Sequence, residues 1–168
     1  MELLIVRHGP AGNLAQKAAW KLSGKDDERP LTKDGLKRTK EAAAGLARLV
    51  EGCEAVAASP WKRAAQTAAA VAKALDADLV ECPALIPDAR LEDALAWLKT
   101  RKEKSLALVG HEPHLSELAS WLLTGTKRSI LRLKKPQALL IDLKRLEPGH
   151  GELVWSIPPR PLRALGSR

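Results

Sequence analysis

Leu3-Leu4-Ile5-Val6-Arg7-His8-Gly9 is the stretch on which the reading of this chain turns. An apolar run from Leu3 to Val6 spells a strand buried on both faces, as strands of parallel sheets are. Such a strand, closed by a basic residue and an imidazole, delivers Arg7 and His8 to one rim of the sheet. Gly9 then lets the backbone turn sharply and come close to a ligand. The device recurs downstream, where Leu106-Ala107-Leu108-Val109 ends at Gly110-His111-Glu112-Pro113. Between the two, the short apolar run Ala55 to Ala58 ends at Ser59-Pro60-Trp61-Lys62-Arg63. Strand ends thus present Arg7 with His8, then Arg63, then His111. Imidazoles and guanidiniums around one point make a pocket for a phosphoryl group, with an imidazole available as nucleophile.

Outward from these blocks the chain alternates strands with helices. Glu2 to Arg7 is the first strand, and Gly9 to Leu31 reads as a long functional loop with one short helix around Leu14 to Lys21. Thr32 is a helix N-cap, followed by apolar residues at helical spacing from Leu36 to Val50, with Gly52 ending the element. Ala55 to Ala58 and Asp78 to Glu81 read as strands on either side of an alanine-rich helix from Lys62 to Leu75. Leu91 to Lys102 is a helix, Ser105 to Val109 a strand and His114 to Leu123 the helix after it. Ala138 to Leu143 and Glu152 to Ile157, around the turn Glu147-Pro148-Gly149-His150-Gly151, form a closing hairpin-like pair. This alternation predicts a single α/β domain over residues 1–168, with an open, mostly parallel sheet flanked by helices. In such sheets ligands bind beyond the carboxyl ends of the strands, where all three blocks lie.

Composition limits the function classes. At 168 residues, 45% apolar and 29% charged, the chain has the profile of a soluble globular domain. Five Trp with no Phe and no Tyr leave the core to Leu, Val, Ile and Ala. Cys53 and Cys82 have no metal-ligand spacing and are read as reduced thiols of a cytoplasmic protein. Leu3 to Val6 is too short for a signal-peptide core or a membrane span, which also points to the cytoplasm and away from membranes. The net charge of +8 suits an anionic substrate or an acidic partner. Nucleic acid is not expected, because the basic residues are dispersed and carry no interleaved aromatic platforms. No cluster of Asp, Glu or His has the spacing of a metal site, so no cofactor is expected.

Leu4-Ile5-Val6-Arg7-His8-Gly9, Arg29-Pro30-Leu31-Thr32 with Gly35, Ser59-Pro60 with Arg63-Ala64 and Gln66-Thr67-Ala68, then Val109-Gly110-His111-Glu112-Pro113, resemble the histidine phosphatase superfamily. Arg-Pro-Leu-Thr and Gly-His-Glu-Pro in a short chain resemble its SixA-type phosphohistidine phosphatases. The resemblance runs from about residue 2 to Ile157. It implies a Rossmann-like, phosphoglycerate-mutase-like fold with helices on both faces of the sheet. It also implies that His8 is phosphorylated during turnover, while Arg7, Arg63 and His111 hold the phosphoryl oxygens. Gly9 belongs to the same phosphate-binding block. Asn13 is a further phosphate-binding candidate, since larger members often carry a polar residue a few positions after Arg-His-Gly, although the spacing here is not theirs. His114 and His150 lack such context and read as surface or loop residues. Ser59 reads as the cap of the helix that carries Arg63.

His8 must present a neutral ring nitrogen to phosphorus, so its other ring N–H needs an acceptor, typically a backbone carbonyl. Flanking guanidiniums would stabilise the phosphoryl oxygens in place of a metal. A general acid is less defined. Glu81, Asp88, Glu92 and Asp93 occupy the relevant stretch, Glu92 and Asp93 in the dipole-stabilising first turn of a helix. Asp88 is the possible general acid, and a site without one is the alternative. The leading expectation is a metal-independent phosphatase acting on a protein phosphohistidine. A small-molecule phosphomonoesterase and a non-catalytic phosphate- or phosphoprotein-binding module are the alternatives. The partner is accordingly a phosphorylated protein or a small phosphorylated substrate.

Overall fold

Leu3 and Ile5 pack into one hydrophobic cluster and Leu4 and Val6 into another, on opposite faces of a six-stranded sheet. The period of two along a strand separates the pairs. The structure is a computed structural model and describes residues 1–167. β1 (Glu2–Arg7), β2 (Ala55–Ala58), β3 (Asp78–Glu81), β4 (Ser105–Gly110), β5 (Ala138–Leu143) and β6 (Gly151–Ile157) lie in the order β3-β2-β4-β1-β5-β6. Neighbours from β3 through β1 are parallel, while β5 runs antiparallel to both β1 and β6. The open, mostly parallel α/β sheet is therefore present, and the closing pair is a true antiparallel one.

Helices cover both faces. α4 (Leu91–Lys99) and α5 (His114–Thr124) contribute Leu91, Leu98, Leu115, Leu118 and Leu122 to the Leu3/Ile5 side. On the Leu4/Val6 side lie α2 (Lys33–Leu46) and α3 (Lys62–Leu75), with the alanines that let them approach the sheet closely. Cys82 sits in the first cluster and Cys53 in the second, both as buried free thiols. Thr32 caps α2 as its position predicts, its Oγ1 accepting from the Gly35 N–H at 2.9 Å. α1 (Leu14–Leu22) is a surface helix with no buried residue. Among the described residues no helix is long and apolar enough to cross a membrane.

Some expectations move. α2 ends at Leu46 rather than Val50, because the chain tightens there and both Leu49 and Val50 donate backbone bonds to the Leu46 carbonyl. α4 stops at Lys99, short of Lys102. Beyond the last expected strand, Pro159–Gly166 forms a further helix, α6. Its fully buried Leu162 packs in the Leu4/Val6 cluster, and Arg163 Nε donates to Glu41 of α2 at 2.8 Å. Prolines at 158, 159 and 161 hide this helix from a sequence reading, yet the first turn tolerates them because its N–H groups need no partner inside the helix.

Candidate active site

β1, β2 and β4 end side by side, and each end is tied to its neighbour. The His8 N–H donates to the Gly110 carbonyl at 3.1 Å and the Ser59 N–H to the Val109 carbonyl at 3.0 Å. This register brings His8, Arg63 and His111 together with Arg7 around one cavity of about 490 Å³. The ring centroids of His8 and His111 are 5.0 Å apart. Trp61 stands edge-on to His111 at 5.3 Å, and the Arg63 guanidinium carbon lies 4.6 Å from the centre of the Trp61 ring.

His8 is 4% exposed, and its Nδ1 lies 2.7 Å from the Gly9 carbonyl oxygen. A carbonyl only accepts, so Nδ1 carries the proton and Nε2 keeps its lone pair. Burial, reinforced by His111, Lys135 and Arg63, holds the His8 pKa well below the ordinary histidine value. The ring is therefore neutral at pH 7 and nucleophilic at Nε2. Gly9 is fixed in turn, its N–H donating to Thr67 Oγ1 at 3.0 Å while Thr67 donates to the Arg63 carbonyl at 2.7 Å. The turn presses close to α2: a Cβ at Gly9 would lie 2.1 Å from Thr39 Oγ1, and one at Gly35 1.9 Å from the Pro10 carbonyl oxygen. Glycine is required at both places by close approach.

His111 is also kept neutral, its pKa pushed down to about 3 by burial and by the charges of Arg63 and Arg7. Its Nε2 lies 2.9 Å from Ser59 Oγ, which itself accepts the Trp61 N–H at 3.3 Å. With the hydroxyl proton given to Nε2, the Nδ1 proton of His111 remains free to donate. Nδ1 of His111, Nε of Arg7 and Nε of Arg63 are all buried without a hydrogen-bond partner in the protein. Buried donors are normally paired, and these three belong to residues that line the cavity.

The arginines are aimed by the protein itself. Arg7 Nη1 donates to the Leu133 carbonyl at 2.5 Å. Arg63 Nη1 donates to the Asp26 backbone carbonyl at 2.6 Å, and Nη2 reaches Asp26 Oδ2 at 3.3 Å. Asp26 Oδ1 also accepts from Arg29 Nε at 2.7 Å. Burial opposes the Asp26 charge, but the Arg29 hydrogen bond and the nearby guanidiniums outweigh it and hold the carboxyl below its usual range. Burial and the charge of Arg29 lower Arg63 to about 10, so it remains a cation at neutral pH. Among the described residues, no three or more of His, Cys, Asp and Glu are grouped so as to hold a metal ion.

Residues 3–86 match the sequence model of the Histidine phosphatase superfamily (branch 1). The chain belongs to the histidine phosphatase superfamily. An uncharacterized protein of Picosynechococcus is 38% identical over 139 residues, covering 80% of this chain and 81% of that one. The protein histidine phosphatase SixA, solved in complex with tungstate, superposes with a TM-score of 0.80 at 25% identity over 96% of this chain and 99% of its own. A candidate SixA phosphohistidine phosphatase from Nakamurella multipartitia shares the fold, with a TM-score of 0.76 at 20% identity over 95% of this chain and 96% of its own. The family and the SixA likeness support phosphatase activity.

Within the histidine phosphatase frame, His8, Arg7, Arg63 and His111 all line the cavity, and Asp88 stands exposed at its rim. Asn13 and Gly9 are corrections, since neither lines it. The Asn13 side chain accepts from the Gln16 N–H at 2.9 Å and caps α1, a local bond that Asn makes readily. Both backbone polar groups of Gly9 are taken, by His8 and Thr67, so Gly9 orients the His8 ring instead of presenting an amide to the cavity. Ser59 is not the cap of α3: Trp61 holds that position and the Ser59 hydroxyl serves His111. His114 is 1% exposed in the first turn of α5, not a surface residue, whereas His150 is half-exposed in its loop as read. Glu92 and Asp93 pair with Lys127 and Arg90 away from the cavity. The sequence reading missed Asp26, Arg29, Trp61 and Lys135 as lining residues. Arg29 and Trp61 lie inside quoted motif blocks, but nothing in the sequence marks Asp26 or Lys135.

Proposed function

We propose that this member of the histidine phosphatase superfamily hydrolyses protein phosphohistidine through a covalent phosphohistidine at His8, without a metal ion. The observation that carries the reading is the 2.7 Å bond between His8 Nδ1 and the Gly9 carbonyl, which leaves Nε2 unprotonated inside a cage of cationic donors. The Nε2 lone pair attacks phosphorus and the bond to the leaving group breaks, in line. Arg7, Arg63 and the His111 Nδ1 proton hold the three equatorial oxygens as charge redistributes over them. The leaving imidazole departs with a proton taken from solvent. Water then attacks phospho-His8, releasing phosphate and returning Nε2 to its free form. The free thiols of Cys53 and Cys82, buried on opposite faces of the sheet, fit a cytoplasmic setting.

Leaving-group chemistry favours phosphohistidine over a phosphomonoester. An alkoxide leaving group needs a positioned acid, since its conjugate acid has a pKa of roughly 15. Asp26 is committed to Arg29 and Arg63, and the Oε2 atom of Glu112 accepts from Ser116 at 2.6 Å. Asp88, exposed at the rim, and Glu112, whose Oε1 has no partner and whose pKa is raised by burial, are the carboxyls left uncommitted. A turnover panel tests the reading: rates should rank phosphohistidine or phosphoramidate first, aryl phosphates next and alkyl phosphates last. Asp88→Asn should change phosphohistidine turnover less than about 3-fold, as no charged leaving oxygen requires its proton. Fastest cleavage of alkyl phosphates, lost selectively in Asp88→Asn, would make the chain a small-molecule phosphomonoesterase instead.

A further inference from the structure

The cavity is larger than its phosphoryl end requires. About 490 Å³ lies within the ~300–1,000 Å³ typical of sites that enclose a whole small molecule, whereas a phosphoryl group is only four heavy atoms. His8, Arg63 and His111 are buried at the bottom, so whatever the phosphoryl group is attached to must occupy the outer part. Lys17 and Lys21 of α1, both exposed, line that outer part, and Lys135 of the segment before β5 is half-buried deeper in, where its charge reaches His8.

These lysines are free to act on a ligand. Among the described residues none of the three forms an ion pair or a side-chain hydrogen bond. Asp26, a carboxylate facing both Lys17 and Lys21, is already held by Arg29 and Arg63. Lys135 is half-buried and faces Arg7, Arg29, Lys17 and Arg63, all of its own sign. Burial first, and those charges second, pull its ammonium down to about 8. Burial and the charges of Lys21 and Arg29 lower Lys17 as well, although Asp26 opposes the change. Six cations thus line the cavity against the carboxylates of Asp26, Asp88 and Glu112. Like charges converge on a concave wall at an electrostatic cost that an anion entering the cavity relieves.

We infer that Lys17, Lys21 and Lys135 form a second anion subsite on the leaving-group side of the phosphoryl pocket, selecting substrates with another negative group beside the phosphorylated one. Resting on the phosphohistidine reading above, the occupant is a carboxylate on an acidic protein surface next to the phosphohistidine. A second phosphate on a small molecule presents the same chemistry, and the two sources separate by experiment.

The test compares the wild-type chain with a Lys17→Gln/Lys21→Gln/Lys135→Gln variant in two arms. One arm measures calorimetric affinity for inorganic phosphate and for inorganic pyrophosphate. The other measures KM for two phosphohistidine peptides, one with Asp and Glu flanking the modified residue and one with Asn and Gln in their place. The subsite predicts that pyrophosphate binds wild type at least ~10-fold tighter than phosphate, that the acidic peptide has the lower KM by a similar factor, and that the variant shrinks both ratios towards one. A ratio lost only in the peptide arm assigns the occupant to a protein carboxylate, and one lost only in the pyrophosphate arm to a second phosphate. Ratios that are the same in variant and wild type overturn the subsite while leaving the phosphatase reading intact. Lysine-dependent pyrophosphate binding by a chain that never turns over either peptide would do the reverse.

Discussion

Asp26 grips Arg63 at two points, through its backbone carbonyl at 2.6 Å from Nη1 and through Oδ2 at 3.3 Å from Nη2. A carboxylate beside a phosphate pocket repels the ligand, so its presence needs a compensating role, and aiming the guanidinium supplies one. Asp26→Asn keeps the carbonyl contact and removes the charge. Turnover of phosphohistidine should fall about 10-fold in kcat, while phosphate affinity holds or improves because a repelling charge is gone. Steady-state kinetics alongside phosphate calorimetry separate the two effects. Unchanged kcat in Asp26→Asn would mean that Arg63 is placed without this ion pair.

Arg63→Lys should cost roughly 10²-fold in kcat/KM, equivalent to ~2.7 kcal/mol of transition-state stabilisation. The planar fork of arginine reaches Asp26 with its Nη edge, while the residue lines the cavity and its Nε has no partner in the protein. An ammonium cannot serve both directions at once. Near-normal kinetics in the folded variant would remove Arg63 from the phosphoryl site.

Acid should destabilise the protein through its buried imidazoles. The folded-state pKa of His111 is pushed down to about 3 from an ordinary 6.5. Between these values the unfolded chain binds the proton and the native state does not. Stability from keeping His111 neutral is therefore complete above pH 6.5 and is lost as pH falls towards 3. Between pH 7 and pH 5 that one ring accounts for roughly 2 kcal/mol of lost stability. Urea unfolding at the two pH values should show a smaller acid loss in His111→Asn than in wild type. Equal losses in both proteins would place the acid sensitivity elsewhere.

What the sequence disclosed follows from where its chemistry is written. Arg7-His8-Gly9, Ser59 to Thr67 and Gly110 to Pro113 are contiguous blocks at strand ends, so finding the strands was enough to bring His8, Arg63 and His111 together. The acceptor anticipated for the spare His8 N–H is the carbonyl of the very next residue. By contrast, the partnership of Asp26 with Arg63 spans 37 positions and depends on how the segment between β1 and α2 folds over the sheet. Lys135 meets Lys17 for the same reason, from the far side of the chain. Asn13 was misplaced because its side chain satisfies a local helix end before anything distant, and α6 because its three prolines resemble a loop.

The central step forms a phosphate bonded to nitrogen. Rapid quenching of turnover with a ³²P-labelled phosphohistidine substrate, followed by peptide mapping, reads this directly. A transient phosphoenzyme should form, labile in acid and stable in base as a phosphoramidate is, with its label on His8, absent from His8→Ala and unaffected by chelators. A labelled residue other than His8, or full turnover by a folded His8→Ala protein, would contradict the account.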